Sequence, residues 1–482
     1  MSAPNVALND LAERMMRTMA FDPTEGQRKA IRAMERLLAS KTNAATLVLR
    51  GYAGTGKTTL VGALVKTLVE LKWPVILLAP TGRAAKVLAA HAQLGASTIH
   101  RRIYRMAGDE GEGWGMMVAP NRDRGALFIV DEASMIGRSG GEGAFGDRDL
   151  LSDLLEHIFS SDRNKLLLIG DPAQLPPVGS ELSPALNVSD LRAMGANAGM
   201  IELTEVVRHA EDSGILSNAT ALRSLLAPPA DPSEVEHSYQ PTFTAFPDVH
   251  RVDGHDLQDM LETAYAQDGD DEVCVICRSN KRAYQYNQQV RVRIHGYEEE
   301  LSPGDRLMVV KNNYLWAGLN GDQELIANGE PITVKRVHGS EERYGFRFAD
   351  ITVNWWNGRV DRELDVKVIL DTLASESPAL PGPRMKELAQ RVAEEITATK
   401  RSERIKLLRS DPYANALQVK YAYAVTAHKA QGGQWRTVFV DQGYVTEEMI
   451  DREYVRWLYT SITRATQRLY LLNFHARFWG EE

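Results

Sequence analysis

The sequence predicts an α/β protein with two parallel-sheet halves and a small β-barrel inserted into the second half. Three observations carry that expectation. A glycine-rich phosphate loop, Gly51-Tyr52-Ala53-Gly54-Thr55-Gly56-Lys57-Thr58, follows an apolar run at 46–49 and opens an apolar-periodic helix over 60–71. Short apolar runs alternate with helical segments on either side of residue 205. Between 301 and 417 that alternation gives way to closely spaced β-like segments.

Length and composition bound the problem. At 482 residues the chain exceeds one ordinary core, and a prior of about three domains follows. Hydrophobic content of 44% and charged content of 25% are ordinary globular values. A net charge of −8 argues against a uniformly basic nucleic-acid coat but leaves room for a local basic channel. Cys274 and Cys277 are the two cysteines, which excludes a disulfide scaffold and points to a reducing compartment. Their C-x-x-C lies in an apolar β-like run without a second half-site, so it reads as core packing. There is no apolar run of about 18 residues and no basic-plus-apolar leader pattern. The expectation is a soluble cytoplasmic protein (of a host cytoplasm if phage-encoded).

In chain order, strands are expected at 46–49, 75–79, 126–130 and 166–169, each followed by chemically loaded loop residues. A glycine-rich stretch at 137–146 and a proline-rich one at 227–232 read as loops. The second half contributes strands at 273–277, 422–425, 437–440 and 469–472. Within it, 305–310, 331–337, 345–353 and 364–370 read as strands of a small barrel, and 384–408 as one charged helical segment. Domain boundaries are therefore expected at 1–205, 206–300, 301–417 and 418–482.

The chemistry follows from residue types. Backbone amides around Gly54, Thr55 and Gly56 can cradle phosphates at a helix N-terminus, with Thr59 in the first turn. Lys57 is placed for the β/γ-phosphates and Thr58 for Mg²⁺. Asp131 and Glu132 end the strand at 126–130, where the first suits metal binding and the second activation of water. The Pro- and Gly-fixed loop 170–179 offers the Gln174 amide near a γ-phosphate. These residues point to a bound nucleoside triphosphate.

Asp131-Glu132-Ala133-Ser134, followed by Gly170-Asp171-Pro172-Ala173-Gln174-Leu175-Pro176-Pro177-Val178, resembles motifs II and III of superfamily-1 helicases of the RecD/Dda-like 5′–3′ branch. Further motifs of that branch stand in order: Pro23–Gln27 segment, 79–85, 97–101, 203–208, 426–432 and 459–465. The resemblance covers about residues 20–475 and implies two RecA-like P-loop motor domains, with an SH3-like barrel and a helical extension inserted in the second. By resemblance, Gln27 reads the adenine edge, while Arg208 and Arg464 are fingers on the γ-phosphate. Lys57, Glu132, Gln174 and the two arginines form the catalytic set. Val207 stands where many relatives place an adenine-stacking aromatic, so base selectivity would rest more on Gln27.

The implied cofactors are ATP and Mg²⁺, and the implied partner is single-stranded or forked DNA. Thr81, His100, Thr426 and His428 would donate to phosphates, with Arg83, Arg101 and Lys429 adding charge. Of Trp355 and Trp356, one is expected in the barrel core and the other is a candidate for base stacking. The segment 106–124 is expected to form a strand-separating pin with Trp114, Met116 and Met117 at its tip, braced across the channel by segment 384–408. The lead reading is a monomeric 5′–3′ DNA helicase, with single-strand-binding, replication or recombination proteins as candidate partners. A translocase subunit that needs a nuclease or recombination partner, and a regulatory P-loop NTPase, are the competing readings.

Overall fold

A computed structural model describes residues 10–19, 21–106, 116–138, 149–207, 213–227, 239–317, 325–357, 360–398 and 400–481. The first half holds β1 (Ala45–Gly51), β2 (Val75–Ala79), β3 (Ala96–Thr98), the hairpin strands β4 (Tyr104–Met106) and β5 (Met116–Val118), then β6 (Leu127–Val130), β7 (Lys165–Gly170) and β8 (Asn197–Leu203). Six of these form a parallel sheet in the order β3-β2-β6-β7-β1-β8. The four apolar runs singled out in the sequence are the four central strands. Covered on both faces, such strands become continuous apolar runs. The two edge strands carry no such run: β3 is Ala-Ser-Thr, and β8 alternates buried with exposed positions.

The second half adds β9 (Val249–Val252), β10 (Val273–Cys277), β16 (Ala424–Thr426), β17 (Trp435–Asp441) and β18 (Ala465–Leu472), in the parallel order β16-β10-β17-β18-β9. Cys274 and Cys277 are fully buried in β10, and burial pushes the Cys274 thiol up to about 12, so both act as packing groups. Between β10 and β16 lies a closed barrel of β11 (Arg306–Val309), β12 (Pro331–Arg343), β13 (Phe346–Trp356), β14 (Asp361–Ile369) and β15 (Leu417–Tyr421). Tyr344 and Gly345, at φ 56° and 71°, make the two-residue turn that matches the twist of the β12–β13 hairpin.

Two expectations change here. The barrel does not end at residue 417: β15 closes it, pairing antiparallel to β11 and parallel to β14. The chain then passes almost directly from β15 of the barrel into β16 of the motor sheet. Asn287 pins the crossing, its Oδ1 accepting from the amides of Tyr423 and Ala424 at 3.0 and 2.8 Å. The charged segment 384–408 is not one helix but two, Gly382–Glu395 and Arg401–Ser410, separated around Ile396 and Thr397, whose β-branched side chains favour extended backbone. Leu388, Val392 and Leu408 of these helices pack on Phe346, Phe348 and Ile369 of the barrel. The pair thus lies on the barrel, and among the described residues the expected brace across a channel is not formed by it.

The barrel is tied to its own half by a buried ion pair. Arg291, in the short π-helix Val290–Ile294, donates twice to Asp305 at 2.8 and 2.9 Å, and both side chains are almost wholly buried. Bidentate geometry and the further bond from Arg291 to the Glu299 carbonyl offset the cost of desolvating the charges. Among the described residues no helix is long and apolar enough to cross a membrane.

The central position of β7 sets a measurable difference. Leu168→Ala, at a fully buried site, should cost about 3 kcal/mol, whereas Met200→Ala on the edge strand, 45% exposed, should cost less than about 1 kcal/mol. Denaturant midpoints of the two variants check this; equal shifts would contradict the assignment of β7 to the sheet centre.

Candidate nucleotide and nucleic-acid site

The phosphate loop joins β1 to the helix Lys57–Glu70. Gly54 and Gly56 hold φ of 74° and 81°, a region that L side chains rarely adopt. A Cβ on Gly56 would also stand 2.5 Å from the Gln27 amide nitrogen, and one on Gly54 3.1 Å from Leu216. Lys57 Nζ donates to the carbonyls of Gly51 and Tyr52 at 2.6 and 2.9 Å and lies 3.9 Å from Asp171. Its ammonium therefore sits at the mouth of the loop, where phosphate oxygens can replace those carbonyls. Thr55 is buried and bonded to the Tyr52 carbonyl, Thr58 is half-buried at the helix start, and Thr59 is exposed.

Gln27 does more than its sequence position implies. Its amide completes a capping box with Thr24, and its nitrogen donates to the Thr55 carbonyl at 3.1 Å. Thus the residue expected at the adenine edge also fixes the phosphate loop. Val207, at the position of the missing aromatic, instead donates its amide to the Gly54 carbonyl at 3.0 Å and packs its side chain near Gly56. Arg208 and Trp114 lie outside the described residues, as does the side chain of Met116.

At the end of β6, Asp131 and Glu132 meet the phosphate loop. Glu132 has φ 53° and ψ 36°, a left-handed conformation that costs a non-glycine residue roughly 1–2 kcal/mol. Burial pushes both carboxyls up; Lys57 draws Asp131 back, and Arg464 draws Glu132 back. The buried Oε1 of Gln174 and Oγ of Ser134 have no hydrogen-bond partner. Orphaned polar atoms beside two carboxylates and a phosphate loop fit a nucleoside triphosphate with a magnesium ion. Thr58 and Asp131 supply the hard oxygen donors such an ion takes. Among the described residues, no cluster of three His, Cys, Asp or Glu side chains offers a separate metal site.

The second half closes on this pocket through the expected Arg464 and three residues absent from the sequence-based site. Tyr459 Oη accepts from the Ala53 amide at 2.8 Å and donates to Asp171 at 2.7 Å. Burial, and then the Asp171 charge, push its phenol far up, so it stays a donor at any working pH. Thr460 Oγ1 accepts from the Leu175 amide at 2.9 Å, and Gln431 donates to the Leu175 carbonyl at 2.7 Å. Arg464 is held by the carbonyls of Thr460 and Gly433, and its guanidinium comes within 3.8 Å of Glu132. All four lie inside the motif segments 426–432 and 459–465, so position was a usable signal, but partners were not.

The residues expected to meet nucleic acid divide. Thr426 and exposed His428 line an open cleft of 410 Å³ that Leu175 of the first half also borders. Thr81 caps the helix Gly82–Ala92, and its Oγ1 lies 3.5 Å from where a Cβ would stand on Gly432. Burial pushes the His100 imidazole down to about 4, so it is neutral near pH 7. Lys429 donates to Asn328 at 3.1 Å, and burial, with Lys420 nearby, pulls it down to about 8.

Arg83 and Arg101 are corrections. Arg83 stacks on Trp435, 3.7 Å from the ring centre, and Arg101 pairs with Glu330 at 2.6 Å and donates to the carbonyls of Leu325 and Asn357. Both guanidiniums join the first half to the second, because planar cations at a desolvated junction find aromatic rings and carbonyls ahead of solvent. Of the tryptophans, Trp355 is buried in the barrel, as expected of one of the pair, and the partly buried Trp356 packs against the core of the first half.

A family model described as an AAA domain matches residues 23–228, and one for the UvrD-like helicase C-terminal domain matches residues 421–472. The ATP-dependent RecD2 DNA helicase of Deinococcus radiodurans is 35% identical over 176 residues, 36% of this chain and 21% of its own length. The ATP-dependent DNA helicase Dda of enterobacteria phage T4 is 31% identical over 212 residues, 43% of this chain and 44% of its own. The chain thus spans less than half the length of either relative. A Bacteroides Pif1 helicase, solved with ADP-AlF3 and ssDNA, superposes at a TM-score of 0.48 and 15% identity, covering 95% of this chain and 94% of that one.

The Tyr459 hydroxyl is the most exposed element of this geometry to test. Tyr459→Phe removes one donor and one acceptor from the junction, leaving the Ala53 amide and Asp171 short of a partner. Nucleotide affinity, read with a fluorescent nucleotide, should change by roughly tenfold, equivalent to about 1.4 kcal/mol. An unchanged affinity and an unchanged turnover would show that the hydroxyl does not shape the site.

Proposed function

We propose that the chain is a superfamily-1 helicase of the RecD and Dda type, whose two halves form an ATP-driven motor that moves 5′ to 3′ along single-stranded DNA and separates duplex strands. One observation carries the reading most: Arg464 of the second half reaches to within 3.8 Å of Glu132 of the first. A phosphoryl-transfer site gains most from cations placed where charge develops, and this cation arrives only when the halves are together.

Each residue then has a role. Lys57 and the amides of 54–58 would bind the β- and γ-phosphates, and Thr58 and Asp131 would hold magnesium, which would neutralise phosphate charge. Glu132 accepts the proton of the attacking water, Gln174 orients that water with its unpartnered oxygen, and Arg464 faces the γ-phosphate, with Arg208 as the second finger. Thr81, His100, Thr426 and His428 are proposed to contact the DNA backbone, with Lys429 beside them. Contacts of this kind hold a strand without reading its sequence. The hairpin of β4 and β5 is proposed as the pin. Opening one base-pair step needs about 1.4 kcal/mol, well within the reach of one nucleotide hydrolysis.

Lys57→Ala should abolish hydrolysis, while Glu132→Gln should keep nucleotide binding and reduce turnover by roughly a thousandfold or more. A Gln variant that turns over at the wild-type rate would remove Glu132 from the base role.

Single-stranded DNA should stimulate hydrolysis strongly, and Arg464→Ala should lose turnover by about a thousandfold with DNA binding retained. Strand displacement on 5′-tailed and 3′-tailed duplexes, DNA and RNA side by side, tests polarity and substrate together. Hydrolysis indifferent to single strands would favour a regulatory NTPase instead. Stimulated hydrolysis without any strand displacement would favour a translocase that works through a partner.

A further inference from the structure

The helix Gly214–Leu225 follows the first sheet and lies between two parts of the nucleotide site. Its start is fixed by Asp248, which accepts from the Ser213 hydroxyl at 3.1 Å and from the Gly214 amide at 3.0 Å. One face, formed by Ile215, Ala219 and Leu222 at helical spacing, packs into the same core as Val455, Leu458 and Tyr459. Those three belong to the helix Arg452–Ile462, which ends two residues before Arg464.

An adjoining face of the same helix meets the phosphate loop. Leu216 stands 3.1 Å from where a Cβ would sit on Gly54, so the missing side chain of that glycine admits the helix to close range. About two turns further on, Arg223 lies over the Tyr52 ring, 4.4 Å from its centre. Arg223 Nη1 also donates to the Thr204 carbonyl at 3.3 Å, just past the end of β8. Tyr52 Oη donates to Glu202 Oε1 of β8 at 3.2 Å. Burial, and then the Glu202 charge, push that phenol up to about 12, so it stays a donor. The carbonyl of the same tyrosine accepts from Lys57 Nζ at 2.9 Å and from Thr55 Oγ1 at 2.8 Å, and the next amide, Ala53, donates to Tyr459. Tyr52 therefore carries the second half on its ring and the Lys57 ammonium on its backbone.

We propose that Tyr52 and Arg223 are positioning residues that seat the helix Gly214–Leu225 on the phosphate loop, so that the neighbouring helix Arg452–Ile462 brings Arg464 to Glu132. The proposal deepens the reading given above, on which the role of Arg464 rests. Both side chains act through the two packed helices and not on the reacting atoms. A guanidinium over a ring tolerates small sliding that a hydrogen bond at a fixed angle does not, which suits a contact between two moving halves.

Two measurements on the full chain test it. Arg223→Gln removes the cation from the ring, and hydrogen exchange at the amides of 53–55 should then rise by roughly fivefold. Arg223→Lys, which keeps a cation there, should restore most of the protection. Turnover of Arg223→Gln should fall by about fivefold with KM for ATP within about twofold of wild type, because Arg464 is displaced while the phosphate contacts remain. Tyr52→Leu combined with Arg223→Gln should lose no more turnover than the worse single variant, and Arg223→Gln should add nothing in an Arg464→Ala background. Unchanged exchange, no recovery with lysine, a rise in KM at constant kcat, or additive losses in either pair overturns the proposal. Wild-type turnover in Arg464→Ala refutes the finger reading alone, and the exchange result still decides whether Arg223 seats the helix.

Discussion

Two parallel sheets present the carboxyl ends of their strands to one cleft, and the Tyr459 hydroxyl bridges it by accepting from the Ala53 amide and donating to Asp171. The rest of the arrangement depends on that closed junction. With it in place, Thr460 and Gln431 satisfy both backbone groups of Leu175, and Arg464 is carried to Glu132. Separate the halves, and each buried polar group of the junction must find water or stay unpaired. The junction thus combines these polar contacts with apolar packing of Ala173 and Leu175 against the core of the second half, and its polar groups can exchange their partners for water when it opens.

The charged centre shows the same logic on a smaller scale. Asp131 and Glu132 are pushed toward protonation by burial and held back by Lys57 and Arg464. Four charges in one desolvated pocket balance only as a set. The left-handed backbone at Glu132 stores local strain, which the adjoining 3₁₀ turn Ala133–Met135 and the Asp131 side chain, accepting from the Glu132 amide at 2.9 Å, help to hold. Strain and desolvation both sit where the chemistry is proposed, a common pairing at functional sites.

The inserted barrel bears on both halves. Its β15 is continuous in sequence with β16 of the motor sheet, and the Arg291–Asp305 pair fixes it from below. Toward the first half it presents Glu330 and Trp355 to Arg101 and packs Trp356 into that core. The helices expected to brace the hairpin instead pack on Phe346, Phe348 and Ile369 of the barrel. Placed between β14 and β15 of the barrel, these amphipathic helices find their nearest apolar face on the barrel itself.

How much was readable in advance follows from the kind of signal. The central strands of both sheets were legible because burial on two faces leaves an unbroken apolar run, while β3, β8 and β9 were not, since edge strands keep polar positions. The phosphate loop, Asp131, Glu132 and Gln174 were legible because their chemistry is local: loop, strand end and turn are each encoded within a few residues. Sequence alone determined that this chain has two α/β halves, a barrel insertion and a nucleotide site between strand ends. Only tertiary structure decided the partners of long side chains. Arg83 and Arg101 read as free cations in the sequence, and Tyr459 as the first residue of the motif segment 459–465. A guanidinium or a phenol reaches several ångströms from its backbone, so its role is set by what another part of the chain brings within that reach.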